Sequence, residues 1–340
     1  MSQPEPLLSI CIATYNRARF IGETLSSILD QLPNDVELVV VDGASPDNTE
    51  EMVRPYVERC ASFRYFREPE NSGVDRDYDK AVNYARGTFC WLMTDDDLLR
   101  PGAVWRVLQM LTPELDLLVV NSEVRNSDLT KTLDLNFLKL ESDRSYGPEE
   151  TSHFFADAAN ALSFIGGTVI RRSIWLSRSR APYFGSLFIH MGVIFQAPMP
   201  GLVKVAVEPL ILIRYGNAMW TARGFEIWMF KWPSLIWSFK GISAEARNKV
   251  SQAEPWKRIR SLYVQRAIGA YGFSEYRQFI APRARGLARI IALMMALAPG
   301  KLVNAVGSLY CYLRHSRMGL FDMARSPHAT WLSRLLGRTL

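Results

Sequence analysis

Residues 95–97 are three aspartates in a row, within the stretch "CWLMTDDDLL". Apolar residues run into them and resume after them, so the charges fall at the end of what reads as a buried strand. Carboxylates this close oppose one another's ionisation. A cation, or a ligand that travels with one, resolves the conflict. Oxygen donors of this kind favour a hard divalent ion such as Mg²⁺ or Mn²⁺. Two carboxylates hold such an ion weakly unless the ligand adds oxygens, as a diphosphate does. The competing reading is a helix cap, although Pro101 and Gly102 already mark the next helix start.

Two other polar clusters accompany the triplet. "TYNR" at 14–17 follows an apolar run, and Asp42 closes the run "VELVVVD". Ligands of open α/β sheets lie beyond the carboxyl ends of the strands, so all three clusters gather along one edge. There Tyr15 can flank a nucleobase and Asp42 can accept hydrogen bonds from a ribose or base. For Asp42 the alternative is an Asx turn before Gly43. The chain has no GxGxxG after its first strand and no GxxxxGK[ST], which disfavours dinucleotide and P-loop binding.

The elements that must position these groups follow from periodicity. Apolar runs at 7–14, 36–42, 63–68, 88–94 and 116–121 predict strands. Between them, 19–32, 45–60, 71–87 and 101–111 carry helical spacing, with Gly87 as a stop and Pro101 in a first turn. This alternation predicts a doubly wound α/β layer with a mostly parallel sheet. Beyond 121 the pattern blurs into a helix near 148–162, a strand at 164–172, a strand-rich run at 201–216 and helices over 222–250. We divide the chain at 1–121, 122–250 and 251–340.

The 340 residues suffice for one large or two modest cores. Four cysteines, Cys11, Cys60, Cys90 and Cys311, show no zinc spacing and read as reduced thiols. The net charge of +6 is uneven: residues 256–340 carry 14 Lys or Arg against two acids, leaving the rest net negative. Such a tail suits an anionic membrane or a nucleic acid. No run of apolar residues is long enough to span a bilayer.

The stretches "SICIATYNRARFIGETLSSILDQ", "VVVDGASPDNTEE", "ENSGVDRDYDKAVNYARG" and "CWLMTDDDLLRPGA" resemble family 2 glycosyltransferases of the GT-A fold, nearest to the bacterial O-antigen abequosyltransferase-like branch. The resemblance covers about residues 7–121 well and weakens toward 240. It implies a Rossmann-like, mostly parallel sheet flanked by helices, and a nucleotide-diphosphate sugar as donor. It places Thr14, Tyr15 and Asp42 in the nucleoside pocket and matches Asp95 and Asp97 to the outer positions of a DxD motif. Asp97 corresponds to the usual metal ligand, with Asp95 nearer the sugar or ribose and Asp96 assisting, around Mn²⁺ or Mg²⁺. Arg76 lies where relatives present a phosphate-facing base, and Arg17 is a second donor-side candidate. The alternative for Arg76 is an exposed helix charge paired with Asp79.

One departure matters. Where inverting relatives place the aspartate that deprotonates the acceptor, this chain has "PYFGSLFIHMGVIFQ" at 182–196, with no carboxylate. His190 is the one titratable candidate for general base there; otherwise it packs in an apolar helix and donates to a carbonyl. Asn217, Trp220 and Arg223 are acceptor-side candidates, with ordinary packing as the alternative for Trp220.

The segment 220–239 holds four tryptophans, and 283–317 mixes apolar stripes with arginine. Two amphipathic helices in a membrane interface account for both better than nucleic acid does. The resemblance supplies a partner, a lipid-linked oligosaccharide at the cytoplasmic face of the bacterial inner membrane. Two rival functions remain: a nucleotidyltransferase, which would carry a glycine-rich, lysine-bearing segment where this chain has "TYNRARF", and a non-catalytic glycan-binding scaffold.

Overall fold

The computed structural model describes residues 5–219 and 223–338. The chain divides into two compact units. The first comprises 1–123, 135–214 and 239–246, and the second 124–134, 215–238 and 247–340.

The strands, in chain order, are β1 (Leu8–Thr14), β2 (Val36–Asp42), β3 (Phe63–Arg67), β4 (Phe89–Met93), β5 (Leu98–Leu99), β6 (Leu115–Arg125), β7 (Thr132–Asp134), β8 (Arg144–Tyr146), β9 (Thr168–Arg171) and β10 (Leu202–Arg214). In the first unit they order as β3-β2-β1-β4-β9-β6-β10-β5, with β8 on β10. The block β3-β2-β1-β4 is parallel, as the sequence predicts. β1, β2 and β4 are buried along their whole length, which is why they read as largely apolar runs. β3 is the partly exposed edge.

The expected parallel sheet stops at β4. β9 inserts between β4 and β6 and runs antiparallel to both. β6 therefore points the same way as β4 without touching it. β10 also pairs antiparallel with β5 and β8. Helices α1 (Ile21–Leu29), α2 (Thr49–Arg59), α3 (Val74–Tyr84) and α4 (Ala103–Met110) link the early strands. α1 buries Ile21, Leu25 and Ile28 at helical spacing, and α2 runs through Pro55. Their apolar faces close over the sheet in one core that includes Ile10, Ile12, Val40, Trp91 and Met93. The four cysteines form no disulfide.

The register fixes the rim. Thr14 lies opposite Asp42 and Ile12 opposite Met93, so Thr14, Asp42 and the residues after Met93 share the carboxyl edge. At the other edge the helix-to-strand turn crosses β1 closely. Gly87 N–H donates to Ser9 Oγ at 2.8 Å, and Ser9 Oγ donates to the buried Glu37 at 2.7 Å. A Cβ at Gly87 would stand 2.7 Å from the Ser9 amide nitrogen and 2.9 Å from the Leu8 carbonyl carbon.

The second unit is helical. It includes Ile259–Ala267, Gly286–Leu297, Gly300–Leu313, Arg317–Arg325 and Trp331–Arg338, together with β7, which pairs with the last two residues of β6. Among the described residues no single helix is long and apolar enough to cross a membrane.

Because backbone atoms cannot give way as a flexible side chain can, Gly87→Ala should cost about 2 kcal/mol or more of stability. Urea unfolding measures this, and a loss within about 0.5 kcal/mol would contradict the close packing of this turn.

Candidate active site

The loops that follow β1 and β2 are tied together by backbone donors. Asn16 N–H donates to Ser45 Oγ at 2.9 Å, Arg17 N–H to Thr49 Oγ1 at 3.0 Å and Ala18 N–H to Asp47 Oδ2 at 3.0 Å. Asn16 and Ala44 take left-handed φ of 57° and 62°, which bends both loops at the rim. Asp42 is fully buried. Its Oδ1 accepts from Ser45 N–H at 2.7 Å and its Oδ2 from the Tyr65 hydroxyl at 2.6 Å. The turn-building reading of Asp42 is thus the one realised here, and its carboxylate shapes the loop from inside. Burial and the Asp42 carboxylate push the Tyr65 phenol far up. A Cβ at Gly43 would lie 2.6 Å from an Asp77 carboxylate oxygen, so a larger residue there would displace that carboxylate. Tyr15 is half-buried beside this loop.

All three aspartates of the triplet are buried. Arg17 lies between two of them, with Nε 3.3 Å from Asp95 and an Nη 3.5 Å from Asp96. Asp97 accepts from the Thr94 hydroxyl at 2.5 Å and from the Arg214 backbone N–H at 2.6 Å. Arg214 comes from the end of β10, donates from Nε to the Asp96 carbonyl at 2.9 Å, and reaches Glu23 at 2.5 Å. The Phe20 ring carries both guanidiniums, Arg17 at 5.7 Å and Arg214 at 5.3 Å from its centroid. Burial and the neighbouring Asp96 push the Asp95 carboxyl up to about 7, against the opposing pull of Arg17 and the Thr14 hydroxyl. Burial and Asp96 raise Asp97 well above the carboxylate range. Burial and mutual repulsion therefore disfavour full ionisation of the triplet, and a bound cation would relieve both.

A hard divalent cation fits this donor set, which is carboxylate oxygen alone. Among the described residues no three His, Cys, Asp or Glu side chains form a ready metal cage. A cation at this rim would take part of its coordination from the ligand that brings it.

The segment 182–196 is organised by a residue the sequence reading overlooked. Asp75, at the start of α3, is buried and accepts three backbone donors: Gly185 N–H at 2.8 Å, Leu187 N–H at 2.9 Å and Ile189 N–H at 3.1 Å. It holds Gly185 and Leu187 in left-handed φ of 84° and 73°. The available signal was helical phase: Asp75 shares a buried stripe with Tyr78 and Val82. Arg214 had no comparable signal, because its partners lie far away in the chain.

His190, the sequence candidate for general base, has the enclosed setting of its packed alternative. It sits in α5 (Ile189–Phe195), is 1% exposed, and places Nε2 2.6 Å from the Leu162 carbonyl. Burial holds its pKa down to about 4. An enclosed imidazole tied to a carbonyl does not reach an acceptor hydroxyl. Arg76 is exposed and stacks 4.4 Å from the Phe184 ring centroid. The partner expected for it, Asp79, instead binds Arg180 at 2.9 Å and accepts from the Trp175 indole at 2.9 Å. Asn217 and Arg223 belong to the second unit, where Arg223 pairs with Glu226 at 2.9 Å. Trp220 lies outside the described residues.

Residues 9–175 match the sequence family described as "Glycosyl transferase family 2", a span that contains the whole rim from Thr14 to Asp97. The chain is a glycosyltransferase with a GT-A-like fold, and just under half of it is similar to family 2 members. Among relatives, the abequosyltransferase RfbV of Salmonella typhimurium is 25% identical over 293 residues, which cover 80% of this chain and 86% of that protein. Among solved structures, S. aureus TarS in complex with UDP-GlcNAc covers 98% of this chain and 90% of its own, at TM-score 0.56 and 14% identity. The mannosyltransferase PcManGT of Pyrobaculum calidifontis, in complex with GDP-Man and Mn²⁺, covers 98% of this chain and 88% of its own, at TM-score 0.54 and 15% identity. At these identities the two structures establish the fold of this glycosyltransferase alone.

The His190 assignment has a pH signature. Its folded pKa lies below the usual 6.5, so the stability contributed by the neutral ring is present above 6.5 and is lost as pH falls toward 4. His190→Gln, which cannot titrate, should gain about 3 kcal/mol relative to wild type between pH 7 and 4 in denaturant titrations. Its transfer rate per folded molecule at neutral pH should stay within a few-fold of wild type. A drop of about 100-fold or more would restore His190 as the base.

Proposed function

We propose that this enzyme moves a sugar from a nucleotide-diphosphate donor to a hydroxyl of a growing, lipid-linked glycan at the cytoplasmic face of the bacterial inner membrane. The observation that carries this reading is the buried, under-neutralised aspartate triplet at the carboxyl rim of the parallel strands. A nucleotide diphosphate with its cation is the ligand whose chemistry that rim lacks. The relative named for abequose transfer supports a deoxysugar donor and a part in O-antigen or related surface polysaccharide synthesis. The neighbours that hold UDP-GlcNAc, or GDP-Man with Mn²⁺, support the nucleotide-sugar and cation parts of the reading.

The residues then take distinct roles. Asp95 and Asp97 would hold Mn²⁺ or Mg²⁺, which when bound stabilises charge gathering on the departing diphosphate. Arg17, carried on the loop after β1, balances Asp95 and Asp96. Arg214 fixes Asp97 through its backbone N–H and Asp96 through its side chain, so the triplet keeps its orientation. Asp42 sets the Gly43–Ser45 turn, and Tyr15 borders the nucleoside beside it. Asp75 braces the 185–189 segment, the position at which the acceptor side is expected.

Thermal unfolding in a panel of nucleoside diphosphates, with and without Mn²⁺, tests the reading. One base should raise the midpoint by about 5 °C at saturation, and only with Mn²⁺. Asp97→Asn should abolish that shift. A shift that needs no metal, or that survives the substitution, would overturn the assignment of the triplet.

A further inference from the structure

The helices Gly286–Leu297 and Gly300–Leu313 of the second unit have their polarity reversed. In a helix of a soluble domain the large apolar residues face inward. Here Gly300–Leu313 buries Gly300, Asn304, Gly307 and Ser308 beside Val303 and Cys311. Its outward stripe is Leu302, Val306, Leu309 and Leu313, spaced for one face, with Leu302 62% and Leu313 67% exposed. The preceding helix repeats the arrangement. Ala292 and Ala296 face inward, whereas Leu287, Ile290, Met294 and Leu297 face outward, Leu287 at 71%.

The inward donors find partners within the unit. Asn304 donates to the Ala267 carbonyl at 3.1 Å and the Met323 carbonyl at 2.9 Å, and Ser308 donates to the Asn304 carbonyl at 2.8 Å. Small and polar residues inside, with large apolar residues outside, is the pattern of helices whose solvent is hydrocarbon. Exposed stripes this long are far beyond the scattered apolar residues of an ordinary surface.

We infer that this helix pair is a wedge that enters one leaflet of an anionic membrane. Charge selects the lipid: residues 283–317 hold six Lys or Arg and no acid. Arg283 and Arg285 precede the pair, and Arg314 and Arg317 follow it, where snorkelling reaches headgroup phosphates. Geometry selects the depth. The helices have 12 and 14 residues, so each extends about 20 Å against a hydrocarbon core of about 30 Å. They meet at Ala298–Pro299 with a bend of 93°, so together they do not form one straight span. Beside the first stripe an apolar groove of about 280 Å³, lined by Trp256, Ile259, Leu262, Leu287 and Ile291 with Lys257, has the composition to take an acyl chain.

The wedge rests on the membrane placement proposed above; flotation of the full chain with vesicles tests it without any sugar donor, so its failure would remove that placement and leave the sugar-transfer reading untouched. Vesicles of phosphatidylcholine alone and with about 30% phosphatidylglycerol are compared. The chain should float with the anionic vesicles. The triple substitution Leu302→Ser, Val306→Ser, Leu309→Ser, which leaves the buried face intact, should lower the partition coefficient at least ~100-fold at unchanged thermal midpoint. Arg314→Glu with Arg317→Glu should remove the preference for phosphatidylglycerol. Wild-type flotation matched by the triple variant would overturn the proposal. So would absence of binding together with a sedimenting dimer that the triple variant splits, since a second copy would then cover the face.

Discussion

Three successive aspartates at the end of a buried strand repel one another, and the chain answers with two guanidiniums that share the ring of Phe20. Arg17 arrives from the loop after β1 and Arg214 from the end of β10. Each is placed by an element that the aspartates themselves help to hold: Arg214 is anchored through Asp97 and the Asp96 carbonyl, and Arg17 through Asp95 and Asp96. Burial makes this arrangement sensitive, because a charge removed from water needs a close partner. Two guanidiniums lie among three enclosed carboxylates, and the cation-bearing ligand proposed above would relieve the repulsion that remains. The remainder of the first unit serves this edge. The parallel block aligns Thr14, Asp42 and Asp95, the Asx turn at Asp42 sets the neighbouring loop, and Asp75 secures the segment that leads into α5.

The early strands and helices were legible because each obeys one period. β1, β2 and β4 are buried on both faces, so they are mostly apolar, and α1 shows its inward stripe plainly. Strand order was not legible. Nothing in "FIGGTVIRR" tells that β9 will part β4 from β6, since adjacency is decided by which edges remain when the layers pack. The triplet announced itself by charge density. Arg214 did not, since a single basic residue after an apolar strand has many possible partners. Asp75 was disguised as an acidic first turn, a position the helix dipole favours anyway. His190 offered two readings from the sequence, and burial against the Leu162 carbonyl separates them.

The second unit shows the same logic from the opposite side. Its basic excess was visible in composition, but composition does not say which face of a helix turns outward. The orientation of Leu302, Val306, Leu309 and Leu313 away from Asn304 and Ser308 supplies that information. A helix that hides its polar groups and displays its leucines makes sense only when hydrocarbon is its surroundings or when another apolar face covers it.

The central claim concerns where a cation and a diphosphate meet the rim, and anomalous diffraction from a crystal grown with Mn²⁺ and a nucleoside diphosphate addresses it most directly. The account predicts one dominant manganese peak bonded to carboxylate oxygens of Asp95 or Asp97 and to the diphosphate, with Arg17 drawn off its bridge between Asp95 and Asp96. A manganese peak away from the triplet, with Arg17 still bridging those two aspartates, would contradict it.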